Sequence, residues 1–336
     1  MPPRLTIAIP TLNRAELLPR AIESALAQTS QEVEIIVSDN GSTDETAEVI
    51  RQFAGRGIRT YSQAQTITAA QHGTFLMHQA QGELFLGLSD DDYLEPEFAA
   101  EVLAMFDRHP ELSFVYTGCL FHYGNYRVEA AIGPPVETGT DFLAGHYSGQ
   151  RLVAWCACVT RVRDLREVGP QPDDRSIGDM FFWTKLAFRG PVGCVPRILS
   201  HYTHFWPGRR IDNVSHCTPA PAWGSESALL AREVLDAARQ AGASEAYLTR
   251  LRTCSRRHVA RSVANQFVWT RVRGTSVREE WGWLPACLPY LCLRFEVLTR
   301  LGAALLLPRA ILRSLLLRGA ARLAKACSHG SAYVHT

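Results

Sequence analysis

Three carboxylates in a row, Asp90-Asp91-Asp92, follow the apolar run Leu84–Leu88 (LFLGL). Like charges repel and aspartate is rarely buried unpaired, so packing alone does not favour such a run. A hard divalent cation, Mg2+ or Mn2+, would relieve the repulsion, taking one or two carboxylates and completing its shell with substrate phosphates. A solvated turn with one Asp capping the next helix accounts for the same residues about as well. Two more polar clusters also follow apolar runs: Asp39-Asn40-Gly41-Ser42 and Pro10-Thr11-Leu12-Asn13-Arg14. The first could hold a ribose or a base, although taken alone it is more often an ordinary turn. In the second, Arg14 could meet a phosphate. No GxGxxG follows the first run and no GxxxxGK[ST] occurs anywhere, which disfavours dinucleotide and P-loop binding. His201, His204 and His216 form a later polar group that could supply one metal ligand or none.

The elements that must position these residues can be read from hydrophobic period. Leu5–Ile9, Val33–Ser38, Ile58–Tyr61 and Leu84–Leu88 read as buried strands. Between them, Ala15–Gln28, Thr43–Phe53 and Ala69–Ala80 read as helices, the second with Ser42 or Thr43 as its cap. Alternating strands and helices with fully apolar strands predict βαβ units and a mostly parallel sheet. Ligands of such sheets sit beyond the carboxyl ends of the strands, where the polar clusters fall. Further on, Phe98–Phe106 reads as a helix, Leu112–Phe121 as a strand, Tyr123–Gln150 as loop, Ser176–Phe188 as a helix and Ile198–Ser215 as loop. Ser225–Gln240 and Ser244–Thr270 read as helices, and Trp281–Lys325 is rich in Leu and Arg.

The chain has 336 residues, 46% hydrophobic and 20% charged, an ordinary globular balance. Its net charge of +2 conceals an asymmetry: from Arg250 onward there are fifteen basic and three acidic residues. The nine cysteines are scattered without CxxC pairs, which predicts reduced thiols and a cytoplasmic setting. The N-terminus lacks the pattern of a signal peptide. Near the C-terminus, Trp281–Leu293 is too short and proline-broken for a membrane span.

Taken together, the three polar blocks resemble family 2 glycosyltransferases, which have the GT-A fold. The matching stretches are Ile9–Arg14, Ile36–Asp44, and Gly82-Glu83 leading into Leu88–Pro96. The resemblance implies an α/β GT-A domain over 1–220, followed by a helical Arg/Leu-rich region over 221–336. It implies a nucleotide-sugar donor lined by Pro10, Thr11, Asn13, Arg14, Asp39, Asn40, Ser42 and Asp90. Thr11 and Asp39 would meet the base; Asn13, Arg14 and Ser42 would lie along the nucleoside or diphosphate. The family's DxD falls on Ser89-Asp90-Asp91, so its first carboxylate is a serine here. Asp91 would then bind the Mn2+ or Mg2+, with His204 as a further ligand. The helix before that strand reads Ala70-Gln71-His72-Gly73-Thr74, where the family often has an Arg-Asn pair. The family's base is matched by Asp179 in Ile177–Trp183, with Gly178 in place of the usual Glu; Asp173 and Asp174 lie near enough to compete.

The implied activity is inverting transfer to a glycan or lipid-linked glycan acceptor, in bacterial envelope polysaccharide synthesis. A catalytically inactive nucleotide-sugar-binding scaffold or a nucleotidyltransferase are the alternatives. The basic C-terminal region has the composition of an interfacial helix for anionic lipid, or of an ordinary helical subdomain. No nucleic-acid motif accompanies its charge.

Overall fold

The structure, a computed structural model, describes residues 2–123, 126–130, 132–151, 153–169, 178–205 and 223–273. The chain opens β1 (Leu5–Thr11), α1 (Leu18–Leu26), β2 (Val33–Asp39), α2 (Thr46–Gln52), β3 (Ile58–Ser62), α3 (Ala69–Gln79) and β4 (Leu84–Gly87). The expected alternation is present, with β1 carried two residues further, through Pro10 to Thr11. Pro10 is accommodated because the β4 ladder ends at Ala8, leaving Pro10 paired with Ser38 of β2 alone. The α1 helix buries Leu18, Ala21, Ile22 and Ala25, one stripe at helical spacing. Neither Ser42 nor Thr43 caps α2: its N-cap is Glu45, and Asp44 Oδ1 accepts from the Thr46 amide at 3.0 Å. The α3 helix starts with a capping box between Thr68 and Gln71.

Next come β5 (Tyr93–Leu94), α4 (Phe98–Arg108), β6 (Phe114–Tyr123), β7 (Tyr126–Glu129), β8 (Val136–Glu137), α5 (Gly139–Ser148), a 3-10 turn at Trp155–Ala157, β9 (Cys158–Arg161), α6 (Val162–Val168), α7 (Gly178–Ala187) and β10 (Val192–Phe205). Two helices, α8 (Trp223–Gln240) and α9 (Glu245–Arg273), follow. Two expectations are corrected. Tyr123–Gln150 holds β7, β8 and α5 rather than loop, and Ile198–Phe205 belongs to a long strand. Its partner β6 pairs in parallel along most of its length, with three register shifts, the first where Pro196 interrupts the ladder.

The strands form one sheet in the order β3-β2-β1-β4-β9-β6-β10-β5, with β7 on β6 and β8 on β10. Along that order β3, β2, β1, β4, β6 and β10 share a direction; β9 and β5 oppose it. The expected mostly parallel sheet flanked by helices is what the chain builds. Its central strand is fully enclosed, with Leu5, Ile7 and Ile9 all at 0% exposure.

The chain divides into two compact units. The first comprises Met1–Gly139, Leu152–Asp173 and Arg189–Gly208, and contains the sheet. The second comprises Thr140–Arg151, Asp174–Phe188 and Arg209–Thr336, so α5 and α7 cluster with α8 and α9. Its core includes Tyr147, Trp183, Leu230, Val234 and Leu251. The cysteines among the described residues are free, buried thiols. No helix among them is long and apolar enough to cross a membrane. Trp281–Lys325, His216, Asp173 and Asp174 lie outside the described residues.

Candidate active site

The carboxyl ends of β1, β2 and β4 adjoin, because β1 pairs with both others in parallel. That adjacency brings the three polar clusters together in the first unit. After β1 the chain bends at Asn13, whose φ of 53° is in the left-handed region. The bend is held from the neighbouring loop: the Asn13 amide donates to Ser42 Oγ at 2.8 Å, and Asn13 Oδ1 accepts from the Thr43 amide at 2.7 Å. The Arg14 amide donates to Thr46 Oγ1 at 3.1 Å.

After β2, Asp39 is buried and its Oδ1 accepts from the Ser42 amide at 2.9 Å and from Ser42 Oγ at 2.5 Å. Between them Gly41 sits at φ 78°, where a Cβ would lie 3.1 Å from the Thr66 nitrogen. Asn40 donates from its backbone to the Thr11 carbonyl, and its side-chain amide exchanges two hydrogen bonds with the Ile67 backbone, at 2.9 and 3.1 Å. Behind this turn, His72 is buried and its Nε2 lies 2.8 Å from Ser38 Oγ. Burial lowers the His72 pKa, opposed by the nearby Asp39.

The three adjacent aspartates diverge. Asp90 is buried and accepts from Thr11 Oγ1 at 2.7 Å. Asp91 keeps a part-exposed side chain, with Arg14 Nη1 3.5 Å from its Oδ2. Asp92 turns inward to 1% exposure; its Oδ1 accepts from the Thr203 amide at 2.8 Å, and its side chain lies beside the buried Cys156 thiol. Burial first, and Asp91 second, push the Asp92 carboxyl well above the usual range. Each of the three acids thus has its own protein partner. Among the described residues no three His, Cys, Asp or Glu side chains cluster into a metal cage. One part-exposed carboxylate beside a buried one fits a hard cation that shares its shell with phosphate oxygens.

Residues brought in from α1, β5 and β10 support this loop. Arg20 donates to the Asp91 carbonyl and to Thr203 Oγ1 at 3.0 Å, and its guanidinium lies 4.5 Å above the Tyr93 ring. Tyr93 stacks on His201 with centroids 4.1 Å apart and planes 5° from parallel. His201 Nε2 lies 2.7 Å from Glu95 Oε1, and its Nδ1 lies 3.1 Å from His122 Nε2. The hydrogen-bond network assigns the tautomers: His201 donates to Glu95 and accepts from His122. Burial lowers both imidazoles, His122 to about 4. His201 is therefore committed to protein partners. His204 lies in β10, but its side chain is outside the described residues.

Asp179 stands in the first turn of α7, in the second unit. Its Oδ1 accepts from the Met180 amide at 2.8 Å. Burial raises its pKa above the ordinary aspartate value, against that hydrogen bond.

Comparison with known proteins bears on the fold and on residues 6–143. A family model described as "Glycosyl transferase family 2" matches residues 6–143. Chondroitin synthase of Pasteurella multocida (strain Pm70) is 34% identical over 118 residues, which is 34% of this chain and 12% of that protein. A PGL/p-HBAD biosynthesis glycosyltransferase of Mycobacterium bovis is 33% identical over 129 residues, 37% of this chain and 50% of that protein. The chain thus spans half or less of these relatives. Among solved structures, S. aureus TarS 1–349 in complex with UDP-GlcNAc superposes with a TM-score of 0.65 at 14% identity, covering 98% of this chain and 93% of that one. Mannosyltransferase PcManGT from Pyrobaculum calidifontis, in complex with GDP-Man and Mn2+, gives 0.50 at 15% identity, covering 94% and 87%. The fold is GT-A, and residues 6–143 are similar to family 2 glycosyltransferases.

Proposed function

We propose that this glycosyltransferase moves a sugar, with inversion, from a nucleoside-diphosphate donor to a hydroxyl of a glycan or lipid-linked glycan. The observation that carries this reading is the meeting of Thr11, Asn13, Arg14, Asp39, Ser42, Asp90 and Asp91 at adjoining strand ends. Pro10, Thr11, Asp39 and Asn40 form the floor and turn that hold the nucleoside. Asn13 and Ser42 shape the rim on which the diphosphate lies, and Arg14 neutralises it.

Asp91, aided by Asp90 and by His204 of β10, would hold Mn2+ or Mg2+. Bound there, the ion would offset charge on the departing diphosphate. The TarS and PcManGT complexes, with UDP-GlcNAc and with GDP-Man and Mn2+, support a nucleotide-sugar donor and a metal. In its anionic form the Asp179 carboxylate takes the proton of the attacking hydroxyl as the anomeric carbon parts from the phosphate oxygen. A raised pKa suits a group that must accept a proton near neutrality. The mycobacterial PGL/p-HBAD relative supports an acceptor of the bacterial envelope. The basic region after residue 280 would then hold the enzyme on the cytoplasmic membrane face.

The test measures nucleoside-diphosphate release across a donor panel, with and without Mn2+. Asp91→Ala and Asp179→Asn should each abolish transfer and leave the melting temperature close to wild type. Near-normal turnover by either variant removes the role given to that residue.

A further inference from the structure

The 3-10 turn Trp155–Ala157 enters neither the donor loops nor the acid run, yet it is fastened to both β4 and the aspartates. Gly87 ends β4, and a Cβ built on it would lie 2.0 Å from Trp155 Nε1 and 2.7 Å from Cε2. Any side chain at Gly87 would displace the indole. On the other side of the turn, Cys156 is fully buried beside Asp92, with its Sγ 3.9 Å from the His201 carbonyl. Ala154, Cys156 and Ala157 are all buried, at 4%, 0% and 0% exposure. Trp155, the one large side chain of the group, remains part-exposed.

The sheet order places the turn relative to the donor loops. Asp39 and Thr11 end β2 and β1, on one side of β4. The turn leads into β9, on the other side. A donor whose nucleoside lies over β1 and β2, and whose diphosphate reaches Arg14 and Asp91, carries its sugar onward across β4. We infer that Trp155 is a stacking platform for a pyranose ring and helps set which sugar is accepted; this rests on the donor site proposed above. The chemistry fits the residue, because tryptophan offers a large rigid apolar face and the C–H face of a pyranose is apolar.

The experiment uses the full chain with Trp155→Leu, Trp155→Phe and Gly87→Ala. Calorimetry compares UDP and GDP with UDP-GlcNAc and GDP-mannose, and acceptor-independent hydrolysis of the better-bound donor is followed in parallel. Trp155→Leu should weaken the nucleotide sugar about five- to tenfold and leave the parent diphosphate within about twofold. Trp155→Phe should retain most of the affinity. Gly87→Ala, which keeps the indole but forces it aside, should reproduce the Leu variant and guards against a folding defect in it. Loss of both donor binding and hydrolysis assigns the stacked ring to the donor. Unchanged donor binding with a raised acceptor KM assigns it to the acceptor. Equal weakening of diphosphate and nucleotide sugar, or no change in donor and acceptor parameters, overturns the inference. Failure of the wild-type chain to bind either diphosphate overturns the donor site itself.

Discussion

Removing the Arg20 guanidinium gives the most direct measure of how the acid loop is held. Arg20 is part-buried and links three elements: α1, the loop carbonyl of Asp91, and Thr203 of β10. Burial lowers its pKa, and Tyr93, Asp92 and Asp91 act against that shift. Arg20→Met keeps most of the stem and removes every donor. Two charge-assisted hydrogen bonds at about 1 kcal/mol or more each, with a cation–π contact of about 0.5–1 kcal/mol, set the scale. Allowing for non-additivity, the variant should lose about 2–4 kcal/mol, a fall in Tm of about 5–10 °C. Arg20→Lys keeps the charge without the planar fork and should lose about half as much. Differential scanning calorimetry gives the first number. A double-mutant cycle with Thr203→Val, read by urea denaturation, should show coupling of about 1 kcal/mol. A melting temperature for Arg20→Met within about 1 °C of wild type, or a cycle with no coupling, would refute this account of the loop.

Two other outcomes follow from the geometry. Gly41→Ala places a Cβ at φ 78° and 3.1 Å from the Thr66 nitrogen, so it should cost about 1–2 kcal/mol in urea denaturation and weaken diphosphate binding; unchanged values would mean the turn relaxes freely. In the second unit, burial lowers His146 to about 4 and His258 to about 3, so both are neutral in the folded state. Their folded pKa values lie below the unfolded value of 6.5, so the stability they contribute is present above pH 6.5 and is lost as pH falls toward 4. Between pH 7 and 4.5 that loss should be about 2 kcal/mol from each, and His146→Gln with His258→Gln should flatten the profile in chemical denaturation.

The front half of the sheet was legible because its strands are unbroken apolar runs and its helices show a clear stripe. The three polar blocks were legible for a related reason: βα order puts strand ends on one edge. Their internal arrangement was not. Adjacent aspartates look equivalent in a sequence, yet Asp92 turns inward to Thr203, a partner 111 residues away. The association of Arg20 with Tyr93 and His201 has no local signature, since it depends on the pairing of β5 with β10. The α5 helix was missed because GTDFLAGHYS contains two glycines and a threonine, a weak helix former by propensity. Pro196 and Arg197 hid β10 by interrupting its apolar run where the register shifts.

The division into units has a practical consequence for dissecting the protein. Two stretches that precede residue 190, Thr140–Arg151 and Asp174–Phe188, cluster with the C-terminal helices rather than with the sheet. Tyr247 donates to the Thr140 carbonyl, Arg250 pairs with Asp141, and Arg261 donates to the Tyr147 and Ser148 carbonyls. A chain cut near residue 220 would therefore leave α5 and α7 stripped of their own packing partners. The GT-A half is not a detachable module: grafts, deletions and chimaeras that keep the helix bearing Asp179 must carry α8 and α9 with it.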